Sequence, residues 1–186
     1  MNYDKPTTEV LQVIKEQLGR EPRGVLGVKS FCQHGFPQVI VNRPVFAGES
    51  QIEVFPTLYW LTCPYLRREV ALLEGEGLIA QFEERIQRDP DFASQVEQNH
   101  RDYAARRLSL IPLEVQGRMQ EEYPDRYQVL AESGVGGIRS PEGVKCLHTH
   151  LADFMAHGDN VIGAEVARLL NKPLFCESGQ CKEFQS

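Results

Sequence analysis

The sequence predicts an α+β fold: a helix-rich single domain with a small, partly antiparallel sheet in the N-terminal third. Runs of β-branched and aromatic residues bounded by glycine and proline occur early in the chain, whereas apolar residues spaced three and four apart follow residue 64. The length of 186 residues suits one domain, since domains usually contain about 100–200 residues. We therefore expect one domain over 1–186, with strands mainly in 24–61, helices mainly in 64–170 and a tail over 171–186.

The N-terminal third begins with a predicted helix and continues with short strands. A proline suited to the first helical turn and a terminating Gly19 place the helix at about 6–18. Two β-rich runs follow at 24–31 and 38–42, and a turn containing glycine and proline joins them. A third run, 52–61, has the composition of a buried strand. The short connections indicate that part of the sheet is antiparallel.

The rest of the chain is predicted to be mainly helical. Asp89 and Pro90 form a cap and a first-turn proline, and they open a long helix whose charges we interpret mainly as a solvated face. Ser140 and Pro141 give a similar start signal further along the chain. The predicted helices cover about 64–74, 78–86, 90–110, 113–130, 140–157 and 161–170.

Composition and charge narrow the classes of function. The net charge of −6 gives no general attraction to phosphate backbones or anionic lipid, so we expect neither a nucleic acid nor a membrane as partner. No stretch approaches the roughly 18 apolar residues of a membrane span. The N-terminus is too polar for the apolar core of a signal peptide. These features predict a cytoplasmic protein.

Five cysteines are the first candidates for chemistry. Thiols in a reducing compartment are buried, metal-bound or reactive rather than paired in stable disulfides. Cys63 precedes Pro64 at a predicted helix N-cap, where the helix dipole stabilises a thiolate. On a helical wheel, Cys146 and His150 lie one turn apart and can share a metal ion, whereas His148 lies on the opposite flank. We therefore predict His148 as an acid–base group and His150 as a ligand; simple packing of these side chains is the alternative.

The segment 133–139 is a glycine-rich loop before a predicted helix. Consecutive glycines at a helix N-terminus expose N–H groups that can bind an anion, which makes Gly136 and Gly137 candidates. Arg139 and Lys145 add positive charge. The loop matches neither common nucleotide-binding fingerprint, so we predict a pocket for an anionic small molecule, with a flexible connector as the alternative.

Three motifs carry a family resemblance. They read FPTLYWLTCP at 55–64, GGIR at 136–139 and VKCLHTH at 144–150. Together they resemble the signatures of a bacterial family catalogued as domain-of-unknown-function family 501, and the similarity extends over about 19–176. The family has no established activity. Its members carry Cys-x-Cys-Gly where this chain has Cys32-Gln33-His34-Gly35, and Asn160-Val-Ile-Gly163 is similar to the family's Asn-Pro-x-Gly element.

The resemblance adds weight to a metal centre. Four cysteines fall at or beside the family motifs, whereas Cys181 does not and its role stays open. Cysteines from separate elements fit a centre assembled by folding, and either zinc or an iron–sulfur cluster is compatible with them. The ligands predicted in this way are Cys32, Cys63, Cys146 and Cys176, with His150 beside them and His34 and His148 as alternates.

The sequence thus predicts a metal or iron–sulfur protein with an adjacent anion pocket. A hydrolytic or group-transfer reaction on an anionic small molecule would suit this combination. Two alternatives stay open. One is a metal-free thiol-dependent or phosphate-handling enzyme that uses Cys63 as nucleophile. The other is a non-catalytic adaptor that docks through its long polar helix.

Overall fold

A computed structural model of the chain describes residues 2–48 and 51–185 and confirms the α+β class. Short strands occupy the N-terminal third, and helices account for most of the remainder. The strands are β1 (Val25–Phe31), β2 (Pro37–Asn42), β3 (Val45–Ala47), β4 (Ile52–Val54) and β5 (Tyr59–Leu61). The helices are α1 (Thr8–Leu18), α2 (Pro64–Gly75), α3 (Leu78–Arg88), α4 (Pro90–Ser109), α5 (Leu113–Glu122), α6 (Pro124–Glu132), α7 (Leu147–His157) and α8 (Val161–Leu170). Two 3₁₀ segments lie at Val135–Gly137 and Gln180–Gln185.

The main sheet has the order β1-β2-β5, and both pairings are antiparallel. All six residues of the central strand β2 are buried, as expected for a strand with neighbours on both sides and packing on both faces. Strands β3 and β4 form a separate antiparallel pair. The single strand predicted over 52–61 is therefore two short strands in different sheets. Pro56 lies between them and has no N–H for a ladder bond.

Several helix boundaries confirm local sequence signals. Thr7 caps α1 by accepting a hydrogen bond from the Val10 N–H at 3.3 Å, and Gly19 ends the helix at a φ of 69°, in the left-handed region. Pro124 corrects another prediction. Because proline lacks an N–H and favours a first helical position, the segment 113–130 is not one helix but the pair α5 and α6.

The predicted helix over 140–157 begins seven residues later than expected, at Leu147. Tertiary acceptors take two backbone N–H groups at and just before that point. Val144 N–H donates to Glu83 Oε1 at 3.1 Å, and Leu147 N–H donates to Glu74 Oε1 at 2.7 Å. Cys146 is consequently the extended N-cap residue of α7, with φ −163° and ψ 149°. This shift changes which histidine adjoins Cys146.

The long helix α4 occurs where it was predicted, but its charges are not all solvated. Glu97 and Arg101 form an exposed pair, as expected. Arg107, in contrast, has 0% exposure and donates to the carbonyl oxygens of residues in α6 and the following loop. No helix in the described residues, α4 included, is both long and apolar enough to span a membrane.

Helix α7 is central to the core. Its buried residues Leu147 and Leu151 belong to the main hydrophobic cluster, and the helix packs against β5, α8 and α2. The N-terminal end of α7 therefore lies beside α2, where polar side chains of the two helices meet.

Candidate functional site

Glu74, Cys146 and His148 form a cluster at the junction of α2 and α7. One carboxylate oxygen, the thiol sulfur and one imidazole nitrogen all lie within 4.8 Å of one another. Within 2–48 and 51–185 this is the one group of three or more potential metal ligands with that spacing. The three side chains are half-buried; those of Glu74 and His148 are 23% and 27% exposed. The cluster is therefore partly shielded from solvent and still accessible to a small solute.

Glu74 organises the start of α7. Its Oε1 accepts from the Leu147 N–H at 2.7 Å and lies 3.0 Å from His148 Nδ1. The Cys146 side chain makes no capping bond, and a carboxylate from α2 accepts from one of the N–H groups left unpaired at the helix start. His148 Nε2 lies 3.0 Å from the Arg67 carbonyl oxygen, which is also on α2. Both ring nitrogens thus fix the imidazole against α2.

Interactions within the cluster shift the pKa values of Cys146 and His148. Burial opposes the thiolate of Cys146, but hydrogen bonds from His148 and Thr149 outweigh it and leave the pKa of Cys146 below its ordinary value. Burial opposes the imidazolium of His148. Hydrogen bonds to Cys146 and the Arg67 carbonyl, together with the Glu74 charge, nevertheless raise the pKa of His148. Without a metal, these contacts favour the thiolate of Cys146 and the imidazolium of His148 more than the same groups are favoured in free side chains.

The donor set fits zinc better than an iron–sulfur cluster. Zinc accepts thiolate, imidazole and carboxylate together, and catalytic zinc sites commonly have three protein ligands. Iron–sulfur clusters require several cysteines, whereas this group contains one. His148 also has the surroundings of a ligating histidine: while Nδ1 faces the cluster, Nε2–H donates to a backbone carbonyl.

The other predicted cysteine ligands lie outside this cluster. Cys32 packs against the small hydrophobic cluster that contains Cys181, and the carbonyl oxygen of Cys176 lies 2.8 Å from His34 Nε2. Burial is the main cause of the raised pKa of Cys63, and the nearby thiols of Cys181 and Cys176 add to it. The structure thus gathers these four cysteines near the β1–β2 turn and the tail, but no three of them have the spacing found for Glu74, Cys146 and His148.

Cys63 has the predicted position but not the predicted acidity. It is the N-cap residue of α2, with Pro64 in the first turn. However, it is only 5% exposed, and burial raises the pKa of its thiol to about 11 because the helix N–H groups only partly compensate the lost solvation. The geometry therefore does not support Cys63 as the activated thiol.

His150 does not adjoin Cys146, because the expected register assumed a helix that starts at 140. With Cys146 at the N-cap, His148 turns toward the thiol, and His150, which is 1% exposed, points into the protein. His150 Nδ1 lies 3.2 Å from Asn160 Oδ1, and Asn160 Nδ2 donates to Asp153 at 2.8 Å. The His100 ring lies 6.3 Å from that of His150. His150 therefore belongs to a buried polar network between α7 and α8.

The glycine loop has few N–H groups to offer an anion. Gly134 N–H donates to the Ile138 carbonyl, Gly137 N–H to the Gly134 carbonyl, and Val135 N–H to His100 Nδ1. Lys145 Nζ donates to the Gly136 carbonyl at 2.6 Å rather than standing free. No helix start follows the loop directly, so the dipole expected to assist Gly136, Gly137 and Arg139 is not there.

Sequence reasoning missed Glu74 and Arg67. Both lie in a helix that the periodicity predicted correctly, but nothing local marks either residue as a partner of His148. The available signal was the presence of a Thr-Cys-Pro motif at the start of α2 and a Lys-Cys-Leu-His motif at the start of α7. These motifs do not identify the residues through which the two helices contact each other.

The fold and the site define an α+β protein with a Glu–Cys–His cluster at a helix junction. The chain belongs to the family described as "Protein of unknown function (DUF501)", whose family model matches residues 28–168. No match was found among curated proteins or among solved structures. Family membership thus confirms the resemblance and leaves the chemistry to be inferred from the site.

Proposed function

We propose that the protein binds one zinc ion through Glu74, Cys146 and His148. The observation that carries the proposal is the convergence of an oxygen, a sulfur and a nitrogen ligand within 4.8 Å. Zinc bonds of about 2.0–2.3 Å place ligand atoms at such mutual separations. The bond of His148 Nε2 to the Arg67 carbonyl supports Nδ1 as the ligating nitrogen, because ligating histidines usually donate their other N–H to a fixed acceptor.

A reactive role suits this site better than a structural one. Structural zinc is usually held by four protein ligands, whereas three leave a position for water or substrate. A surface cavity lined by His148 and Thr149 adjoins the cluster, and Thr149 Oγ1 lies 3.1 Å from Cys146 Sγ. Zinc in such a site supplies a Lewis acid, which suits hydrolysis or group transfer on an anionic small molecule.

A second function is favoured by the His148 hydrogen bonds. Both of its nitrogens face acceptors, Glu74 and the Arg67 carbonyl, so the metal-free protein favours an imidazolium next to Cys146. The lowered pKa of Cys146 increases its thiolate fraction, which favours a nucleophilic role without metal. This alternative moves the thiol chemistry first considered for Cys63 to Cys146.

Zinc titration of the metal-stripped protein against a chromophoric chelator tests the proposal. We expect one zinc per chain for the wild type and a loss of affinity of more than about tenfold for Glu74→Gln. Gln retains an oxygen for the Leu147 N–H, so α7 keeps its start. Glu76→Gln is the matched control, because Glu76 is exposed and lies outside the cluster. Equal zinc affinity in wild type and Glu74→Gln would contradict the three-ligand site.

Alkylation with iodoacetamide separates the two functions. Zinc at saturation should slow modification of Cys146, identified by peptide mass, while buried Cys63 stays slow in both states. If the protein binds no zinc and Cys146 reacts rapidly at neutral pH, the thiol function replaces the zinc function.

A further inference from the structure

A cavity of about 340 Å³ lies between the end of α1, strand β5, α2 and the first turn of α7. His148 and Thr149 form the wall nearest the Glu–Cys–His cluster. Arg20, which follows the end of α1, and Arg67, which lies in α2, contribute positive charge. His148 therefore belongs both to the cavity wall and to the Glu–Cys–His cluster.

The two arginines of the cavity have no carboxylate partner in the described residues. Many arginines of the described ranges pair with carboxylates, as Arg23 does with Glu53, but Arg20 and Arg67 form no ion pair there. One nitrogen of Arg67 donates to the Gln17 carbonyl at 2.9 Å, which positions the guanidinium and leaves its other N–H groups for a ligand. A protein of net charge −6 thus concentrates two unneutralised guanidinium groups at one cavity.

The remaining walls are apolar and aromatic. Leu18 and Leu61 line the cavity together with Trp60. The Arg20 guanidinium lies over the Trp60 ring, 4.9 Å from its centre, so the cation and the indole form one stacked surface. Such a surface accommodates an anionic group at the arginines and an organic body along the leucines and the indole.

We infer that this cavity binds a small organic anion, a phosphate or a carboxylate, with its charged group between Arg20 and Arg67 and its apolar part against Trp60. The inference deepens the proposed function and rests on it in one respect, since His148 belongs to both the cavity and the zinc cluster. The guanidinium groups set the charge of the substrate, and the limited volume sets its size.

Trp60 makes the inference directly measurable, because it is the one tryptophan of the chain. Fluorescence excited at the indole edge is titrated with inorganic phosphate, phenyl phosphate and benzoate at constant ionic strength. We expect saturable changes, with phenyl phosphate bound more tightly than inorganic phosphate because its ring contacts the apolar wall. Comparing phenyl phosphate with benzoate decides between phosphate and carboxylate.

Variants locate the binding. Arg20→Gln and Arg67→Gln should each raise the dissociation constant of phenyl phosphate about tenfold, since each removes charged hydrogen bonds. Arg23→Gln is the matched control, because its guanidinium pairs with Glu53 and does not line the cavity. Equal affinity for all three variants would overturn the inference. So would the absence of any saturable change in the wild-type protein.

The zinc proposal and this inference fail in different ways. The same titration on metal-stripped wild type and on Glu74→Gln tests the cavity without the ion. Arginine-dependent binding in a protein that takes up no zinc would support the anion site and overturn the zinc function. Zinc uptake at one ion per chain with no anion binding would do the reverse.

Discussion

Acidification from pH 7 to pH 5 should destabilise the protein because two buried histidines are held neutral. Burial lowers the pKa of His100 to about 4 and that of His150 to about 3, and His100 and His150 are 7% and 1% exposed. Both values lie below the pKa of about 6.5 of an unfolded histidine. Below pH 6.5 the unfolded chain therefore binds protons that the folded protein does not, and the free energy of unfolding decreases as the pH decreases.

The magnitude follows from these pKa values. Between pH 7 and pH 5 each histidine removes about 2 kcal/mol from the free energy of unfolding. Asp153 opposes this trend: burial raises its pKa to about 6, so its protonation in the folded state restores about 1 kcal/mol over the same range. The expected net loss from the three groups is about 2–3 kcal/mol, which is a large part of a typical domain stability of about 5–15 kcal/mol.

Urea unfolding followed by circular dichroism at pH 7, 6 and 5 measures this loss. The variants His100→Asn and His150→Asn do not titrate, and Asn keeps a polar atom near the position of Nδ1 for Val135 N–H and Asn160 Oδ1 respectively. Each variant should be less stable at every pH but should lose about 2 kcal/mol less than wild type between pH 7 and pH 5. An unchanged pH dependence in either variant would refute the assignment of a neutral, buried histidine at that position.

Two further predictions concern packing. Gly163→Ala should lower the free energy of unfolding by about 1–3 kcal/mol, measured by heat or urea, because its Cβ would lie 2.2 Å from the His150 carbonyl oxygen. Gly117→Ala has no neighbour within 4 Å and should stabilise α5 by up to about 1 kcal/mol, so similar effects at the two sites would contradict this account. Arg107→Met should lower the free energy of unfolding by about 3 kcal/mol or more, because it leaves several buried carbonyl oxygens without their donor. A change within about 0.5 kcal/mol would show that these oxygens find other partners.

Local sequence signals were sufficient for the fold class and most helix positions. The Asp89–Pro90 start of α4 was predicted because caps act within one helical turn, so the residues that decide such a boundary are neighbours in sequence. The N-cap position of Cys63 was predicted for the same reason. Its acidity was not, because the pKa of a thiol depends on the atoms that replace water around it, and these come from the whole core.

The composition of the site depended on one boundary that local signals misplaced. Ser140 and Pro141 are good helix-start residues, yet α7 begins at Leu147, where its N–H meets Glu74 from 73 residues earlier in the chain. That contact exists only after α2 and α7 have packed together, and it rotates His148 rather than His150 toward Cys146. The sequence by itself therefore determined the helix-rich α+β class and marked Cys146 as a residue of chemical interest. Only the tertiary structure decided which carboxylate and which imidazole adjoin it, because unsatisfied N–H groups at a helix start are partnered by whichever acceptor packing brings near.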